Sequence, residues 1–205
     1  MPKVVIPGER RKAVGDAVVR IMIRTGVEGA SLRNLADETG LSVGAIRHYF
    51  DSHAELVAFS MRELGRRIRQ RVAARLDRLP AGGLSSTALA AELLAELLPL
   101  DRARREDLGA WLAFAGAART QPALHVVADE HHEHTRSLIT EILEQAIGRG
   151  ALPAGLDLGI ECLRLSALLD GLTMQAVLHP QRTTPDVLMD VLRRNVHSLA
   201  EQTSA

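Results

Sequence analysis

Apolar residues recur along this chain at intervals of three and four, the spacing that lays them on one face of an α-helix. Val14, Ala17, Val18, Ile21 and Met22 form one stripe and predict a helix over residues 9–25. Leu32, Leu35 and Ala36 form a second stripe, and Ile46, Tyr49 and Phe50 a third. A longer series, Leu56, Val57, Phe59, Ser60, Leu64, Ile68, Val72 and Leu76, predicts one helix over 53–77. LPAGGL at 79–84 reads as a linker, because proline and paired glycines interrupt the pattern. Helices are then expected over 85–98, 101–118, 122–149, 157–179 and 185–201, parted at Pro99, Gln121-Pro122, GRGALPAG and HPQRTTP. No period-two alternation and no internal repeat is visible, so an all-α fold of about nine helices is expected.

Residues 31–56, SLRNLADETGLSVGAIRHYFDSHAEL, carry the most informative punctuation. Ser31 and Ser42 each precede an apolar stripe and suit the N-cap, where a hydroxyl accepts an orphan backbone N–H. Asn34 stands where a capping box would have an acid. Gly40 suits the residue just past a helix, where the chain swings to positive φ. Ala36 and Gly40 keep the flank between the two helices clear of bulk, and Ile46 fills it. These spacings describe a helix-turn-helix, whose second helix, expected over 43–49, enters the DNA major groove.

The charge distribution agrees. The chain is neutral overall, but residues 1–78 hold 15 Lys and Arg against 9 Asp and Glu, whereas 79–205 hold 10 against 16. A basic third joined to an acidic remainder is the footprint of a phosphate partner at one end. Arg10, Arg11 and Lys12 oppose the dipole at the start of the first helix, and are either a solvated run or phosphate contacts. Most of Arg62, Arg66, Arg67, Arg69, Arg71, Arg75 and Arg78 should face solvent or pair with the acidic half. The length allows one domain or two small ones. The N-terminal stretch MPKVVIPGERRK lacks the long apolar region of a secretory signal, and residues 1–8 read as a mobile arm. No segment is apolar enough to span a membrane, and the single Cys162 excludes an intrachain disulfide, so a cytoplasmic location is expected.

Read whole, the stretch from Ser31 through Ala36, Gly40, Ser42, Gly44, Tyr49 and Phe50 to Leu56 resembles the DNA-binding half of the TetR family of bacterial regulators. The resemblance implies a head at 1–52 and a helical effector-binding and dimerisation domain at 53–205. It also implies a phosphate contact through the Ser31 hydroxyl or a nearby N–H. Arg33 projects from the opening turn of the helix that follows Ser31, within reach of a phosphate or a base edge, and Ser42 is assigned to the DNA surface as well. Gly44 costs roughly 1 kcal/mol of helix propensity, which makes sense if the backbone must approach DNA closely. Val43 and Ala45 suit a thymine methyl, and Arg47 suits the O6 and N7 of guanine. His48, Tyr49 and His53 are assigned to phosphates. Three positions depart from the family pattern: Arg47 replaces an aromatic, Asp51 a proline and His53 a lysine. The operator sequence therefore cannot be carried over, and a contact by His53 should be weak and pH-dependent.

LPLD at 98–101, WLAF at 111–114, the histidine-bearing helix and LLDGLTMQ at 168–175 resemble the TetR subgroup that includes choline-responsive repressors. Trp111 and Phe114 share a helix face and form either a core cluster or the wall of an effector pocket. His125, Asp170 and Gln175 are the polar candidates for such a pocket. His131, His132 and His134, beside Glu130 and Glu133, offer at most pairs of ligands at helical spacing, short of what zinc wants, so no metal is assigned. No nucleophile motif, phosphate loop or CxxC pair is present, and no cofactor or enzyme activity is expected. Leu163, Leu165, Leu168, Leu169, Leu172 and Val177, then Val187, Leu188, Val191, Leu192 and Leu199, make faces broad enough for a homodimer interface or a larger monomer core.

The function expected is a homodimeric repressor that binds a palindromic operator and is released by a small-molecule effector. An activator or dual regulator on the same fold is the alternative. A helical metal-dependent enzyme using His131 and His134 is the rival from another class.

Overall fold

The computed structural model describes residues 7–78 and 86–201; the LPAGGL linker and all but the last two residues of the N-terminal arm lie outside the described residues. Nine α-helices are present among them. In order they are α1 (Pro7–Thr25), α2 (Leu32–Thr39), α3 (Val43–Arg47), α4 (His53–Asp77), α5 (Ser86–Leu94), α6 (Arg102–Ala118), α7 (Pro122–Gly148), α8 (Leu158–Leu178) and α9 (Pro185–Ala200). Short 3-10 turns occupy Val27–Gly29 and Ala95–Leu97.

Most boundaries fall where the side chains dictate. Helix α1 opens at Pro7, two residues earlier than expected, because a proline at the first helical position lacks only an N–H with no intrahelical partner. Asp157 and Thr184 stand just outside α8 and α9 and accept the N–H groups of Ile160 and Val187. Helix α5 stops at Leu94, where the backbone tightens into the 3-10 turn. Helix α3 ends at Arg47, two residues early: the Tyr49 N–H donates to the Ile46 carbonyl, three residues back. That tightening turns Phe50 into the core.

The described chain divides into two compact units. The first comprises residues up to 66 together with 106–131. Its core takes Val14, Val18 and Met22 from α1, Leu35 from α2, Ile46 from α3, Phe50, and Leu56, Met61 and Leu64 from α4. Ala110 and Phe114 of α6, and Leu124 and Val127 of α7, complete the same core. The Gln121 amide donates to Glu28 at 2.7 Å, and Arg62 of α4 holds Glu130 of α7.

The second unit comprises 67–105 with 132 onward. Its core joins Ile68 and Val72 of α4 to apolar faces of α5, α7, α8 and α9. The arginines of α4 divide much as the charge pattern predicts. Within this unit Arg71 faces Glu96 at 3.6 Å and Arg75 pairs with Glu92, which also takes Arg193 at 3.2 Å. Within the first unit Arg66 instead pairs with Glu63 of its own helix at 2.7 Å. Among the described residues no helix is long and apolar enough to cross a membrane.

Candidate nucleic-acid interface

Two serines set the geometry of the head. Ser31 Oγ accepts the Asn34 N–H at 3.2 Å, and Ser42 Oγ accepts the Ala45 N–H at 3.1 Å. Gly40 closes α2 in the left-handed region at φ 69°, its N–H bonded to the Ala36 carbonyl at 2.9 Å. A β-carbon would be strained there, which is why glycine holds the position. Ile46 is the one wholly buried residue of α3, wedged into the core. Asn34 does more than replace a capping acid: its side-chain amide donates to the Gly29 carbonyl at 2.8 Å and ties α2 to the preceding turn.

With Ile46 inward, the rest of α3 faces out. Gly44, Arg47 and His48 are exposed, and Val43, Ala45 and Tyr49 are half-buried. A β-carbon added to Gly44 would meet nothing nearer than the Ser42 hydroxyl at 3.9 Å. The fold therefore gives no steric reason for a glycine there. The His48 and Tyr49 rings meet edge to face, 5.4 Å between centres. Arg33 stands exposed on the first turn of α2. His53 is half-buried, and its Nε2 is enclosed without a hydrogen-bond partner. Of the basic run on α1, Arg10 and Lys12 are exposed, while Arg11 turns inward onto Phe50, Phe59 and Glu55.

The candidate effector residues fall in different places. Phe114 is wholly buried in the first unit, with Trp111 against it at 5.4 Å between ring centres. Trp111 is also stacked by His131, 3.7 Å between ring centres. His125 is exposed on α7. Asp170 and Gln175 lie on α8 in the second unit, both exposed. Asp170 is nonetheless crowded enough that desolvation pushes its carboxyl above the usual range, with the charge of His132 opposing the shift. The histidine cluster is split by its contacts, since His131 stacks on Trp111 and Glu130 is held by Arg62. Among the described residues no three His, Cys, Asp or Glu side chains are grouped to hold a metal ion.

Exposed apolar side chains gather on one stripe of α8. Ile160, Leu163 and Leu178 are 60%, 55% and 62% exposed, with Met174 and Val177 between them, and Val187 adds to this on α9. Leu165 and Leu169 face the core instead, so α8 is apolar on two sides.

Comparison with known proteins agrees with this arrangement. Residues 16–58 match the family of bacterial regulatory proteins of the TetR type, and residues 87–201 match the C-terminal domain of BetI-type transcriptional repressors. The chain is 32% identical to the HTH-type transcriptional regulator PksA of Bacillus subtilis (strain 168) over 199 residues, covering 97% of this chain and 94% of that one. It is 28% identical to the HTH-type transcriptional regulator BetI of Escherichia coli (strain K12 / DH10B) over 179 residues, 87% of each. A transcriptional regulator from Rhodococcus sp. Rha1 superposes with a TM-score of 0.77 at 27% identity, over 93% of this chain and 96% of that one. A regulator from Saccharomonospora viridis, solved in complex with choline, shares the fold at 19% identity with a TM-score of 0.77, over 96% and 97%. The chain is a DNA-binding transcriptional regulator of the repressor type, not an enzyme, and it belongs to the TetR family with a BetI-type effector-binding C-terminal domain.

Proposed function

We propose that the protein acts as a cytoplasmic homodimer that represses transcription from a palindromic operator and leaves it when a small molecule binds. The observation that carries the reading is the outward face of α3. It holds a glycine the fold does not require, an exposed arginine and an exposed histidine, on a helix that buries Ile46 and is capped by Ser42. Residues 1–52 are the reading head, and 53–205 the effector and dimerisation part. Arg47 reads a base edge in the major groove, with Val43, Gly44 and Ala45 bringing the backbone close. Ser31, Arg33, Ser42, His48 and Tyr49 fix the register on phosphates. His53, with Nε2 enclosed, has only its other ring nitrogen for such a contact.

The second copy is called for by the apolar stripe of α8, which would otherwise face water. In the proposed dimer two such stripes pack about a two-fold axis, and the two heads read the two halves of the palindromic site. The effector acts by preferring a dimer whose head spacing no longer matches the DNA, a shift no larger than its difference in affinity between the two states. The candidate side chains for it are Trp111, Phe114 and His125 in the first unit and, separately, Asp170 and Gln175 in the second.

The test is a binding selection on upstream DNA with purified full-length protein, together with its mass in solution. A two-fold symmetric site bound by a dimer supports the reading. A monomer, or a dimer that selects no DNA, overturns it.

A further inference from the structure

We infer that Arg11 is a positioning residue, which holds the recognition helix α3 at its working angle and makes no phosphate contact of its own. The inference rests on reading α3 as the element that enters the groove. Arg11 lies between two exposed basic residues, Arg10 and Lys12, and by sequence belongs with them. Its contacts separate it from them. The guanidinium carbon sits 5.0 Å from the centre of the Phe50 ring and 4.7 Å from that of Phe59, within the range of cation–π attraction to both. The two rings are 5.3 Å apart. Nη2 donates to Glu55 Oε1 at 3.2 Å, and Nε is enclosed with no hydrogen-bond partner. The second Glu55 oxygen accepts the Asp51 N–H at 2.7 Å.

One side chain of α1 therefore reaches the exit of α3 by two routes, directly through Phe50 and through Glu55 to the Asp51 backbone. Helix α3 has five residues, too few to hold an orientation by itself. Its exit is where an orientation can be imposed, because the N–H groups of Tyr49 and Phe50 both donate to the Ile46 carbonyl. The base of the clamp is stiff. One turn along α1, a β-carbon on Gly15 would stand only 3.0 Å and 3.3 Å from two atoms of the Phe59 ring. Helix α1 thus lies against that ring, and the ring cannot retreat toward it. Loss of the Arg11 cation would leave the core volume nearly unchanged if methionine replaced it, but would release Phe50 and Glu55 from α1.

The salt dependence of DNA binding separates positioning from contact. Each phosphate contact contributes about 0.9 to the slope of log affinity against log salt, whereas a positioning residue contributes none. Wild type, Arg11→Met and Arg11→Lys, as full-length protein, are titrated against the selected operator over a range of salt, with active fraction and thermal melting recorded. The expected result is a loss of about ten-fold in affinity for Arg11→Met with the wild-type slope, and partial recovery in Arg11→Lys. A slope shallower in Arg11→Met by about 1.8 per bound dimer, about 0.9 for each of its two Arg11 side chains, makes Arg11 a phosphate contact and overturns the inference. So does an unchanged affinity, or a reduced active fraction at unchanged affinity, which marks loss of folding alone. Failure of the wild type to select any DNA overturns the reading of α3 and the clamp together, which distinguishes it from these.

Discussion

Arg62 of α4 holds Glu130 of α7 with two parallel hydrogen bonds, 2.7 Å from Nε and 3.0 Å from Nη2. Sixty-eight residues separate the partners in sequence, and both belong to the unit that carries the reading head. The hydrogen bonds to Glu130 raise the guanidinium above its already high ordinary value, although the two side chains remain 52% and 38% exposed. The geometry is good and the screening strong, so the pair should contribute no more than about 1 kcal/mol. Arg62→Ala is expected to lower the melting temperature by no more than roughly 4 °C at low salt. The loss should shrink near 1 M salt, where the screening length falls to about 3 Å. A loss unchanged by salt would mean that packing of the arginine stem, and not the charge, accounts for it.

Gly44 and Gly15 look alike in sequence and should respond in opposite ways to alanine. At Gly44 a β-carbon enters open space, so Gly44→Ala should stabilise the fold by up to about 1 kcal/mol through helix propensity. The same substitution should weaken operator binding, because the methyl group stands where DNA approaches. Melting and binding measured on one preparation check both signs. At Gly15 the β-carbon meets the ring of Phe59, and Gly15→Ala should destabilise in spite of its better propensity.

Arg47 and Tyr49 should separate reading from holding. Arg47→Ala is expected to cost about 1–3 kcal/mol at one base position and to relax the preference there. Tyr49→Phe should weaken all sites alike. Binding across a panel of operator variants distinguishes these, and a changed base preference in Tyr49→Phe would make the phosphate assignment wrong.

Glu38 gives the head a pH dependence of known sign. It accepts Arg24 Nη2 at 2.6 Å and Arg20 Nε at 2.9 Å, and those hydrogen bonds, Arg24 first, hold its carboxyl below the ordinary value of 4.5. Folding therefore favours the ionised form. The stabilisation is complete above that ordinary value and is lost as pH falls through the lowered one. Against Glu38→Gln, the wild type should melt higher near neutrality, and the gap should close in acid. A gap that widens on acidification would reverse the assignment.

A regulator of the same fold was solved in complex with choline, so choline tests what the aromatic residues of this chain can hold. Quaternary ammonium recognition uses open aromatic faces. The chain has one Trp, one Tyr and three Phe, and Tyr49, Phe50 and Phe59 belong to or adjoin the head. Of the remaining two, Phe114 is wholly buried and Trp111 is already stacked by His131. Millimolar choline is therefore expected to leave operator affinity unchanged in a titration. Release of the DNA by choline would overturn this expectation.

Much of the head is legible in the sequence because its signals are local. A serine three residues before the N–H it accepts, or a glycine at a positive φ, acts within one turn of chain. That is why Ser31, Gly40 and Ser42 stand where their spacing predicts. The stripe over 53–77 sets α4 to the residue for the same reason. The role of Arg11 is not legible, because it depends on Phe50, Glu55 and Phe59, some forty or more positions away. Nor does periodicity tell which core a stripe enters: Phe114 and Leu124 finish the core that holds Ile46, while Leu165 and Leu188 finish the other. Effector residues are the least legible, since a pocket needs side chains from several helices and carries no spacing of its own.

The outward face of α3 has an evolutionary consequence. Because Ile46 is the one residue within that helix that is wholly buried, and the serine cap, Gly40 and the contacts at its exit lie outside its groove-facing residues, substitutions at 43, 45, 47 and 48 can accumulate with little penalty in folding. A duplicated copy of this gene could acquire a new set of target promoters through a handful of changes, and keep its C-terminal domain untouched while doing so.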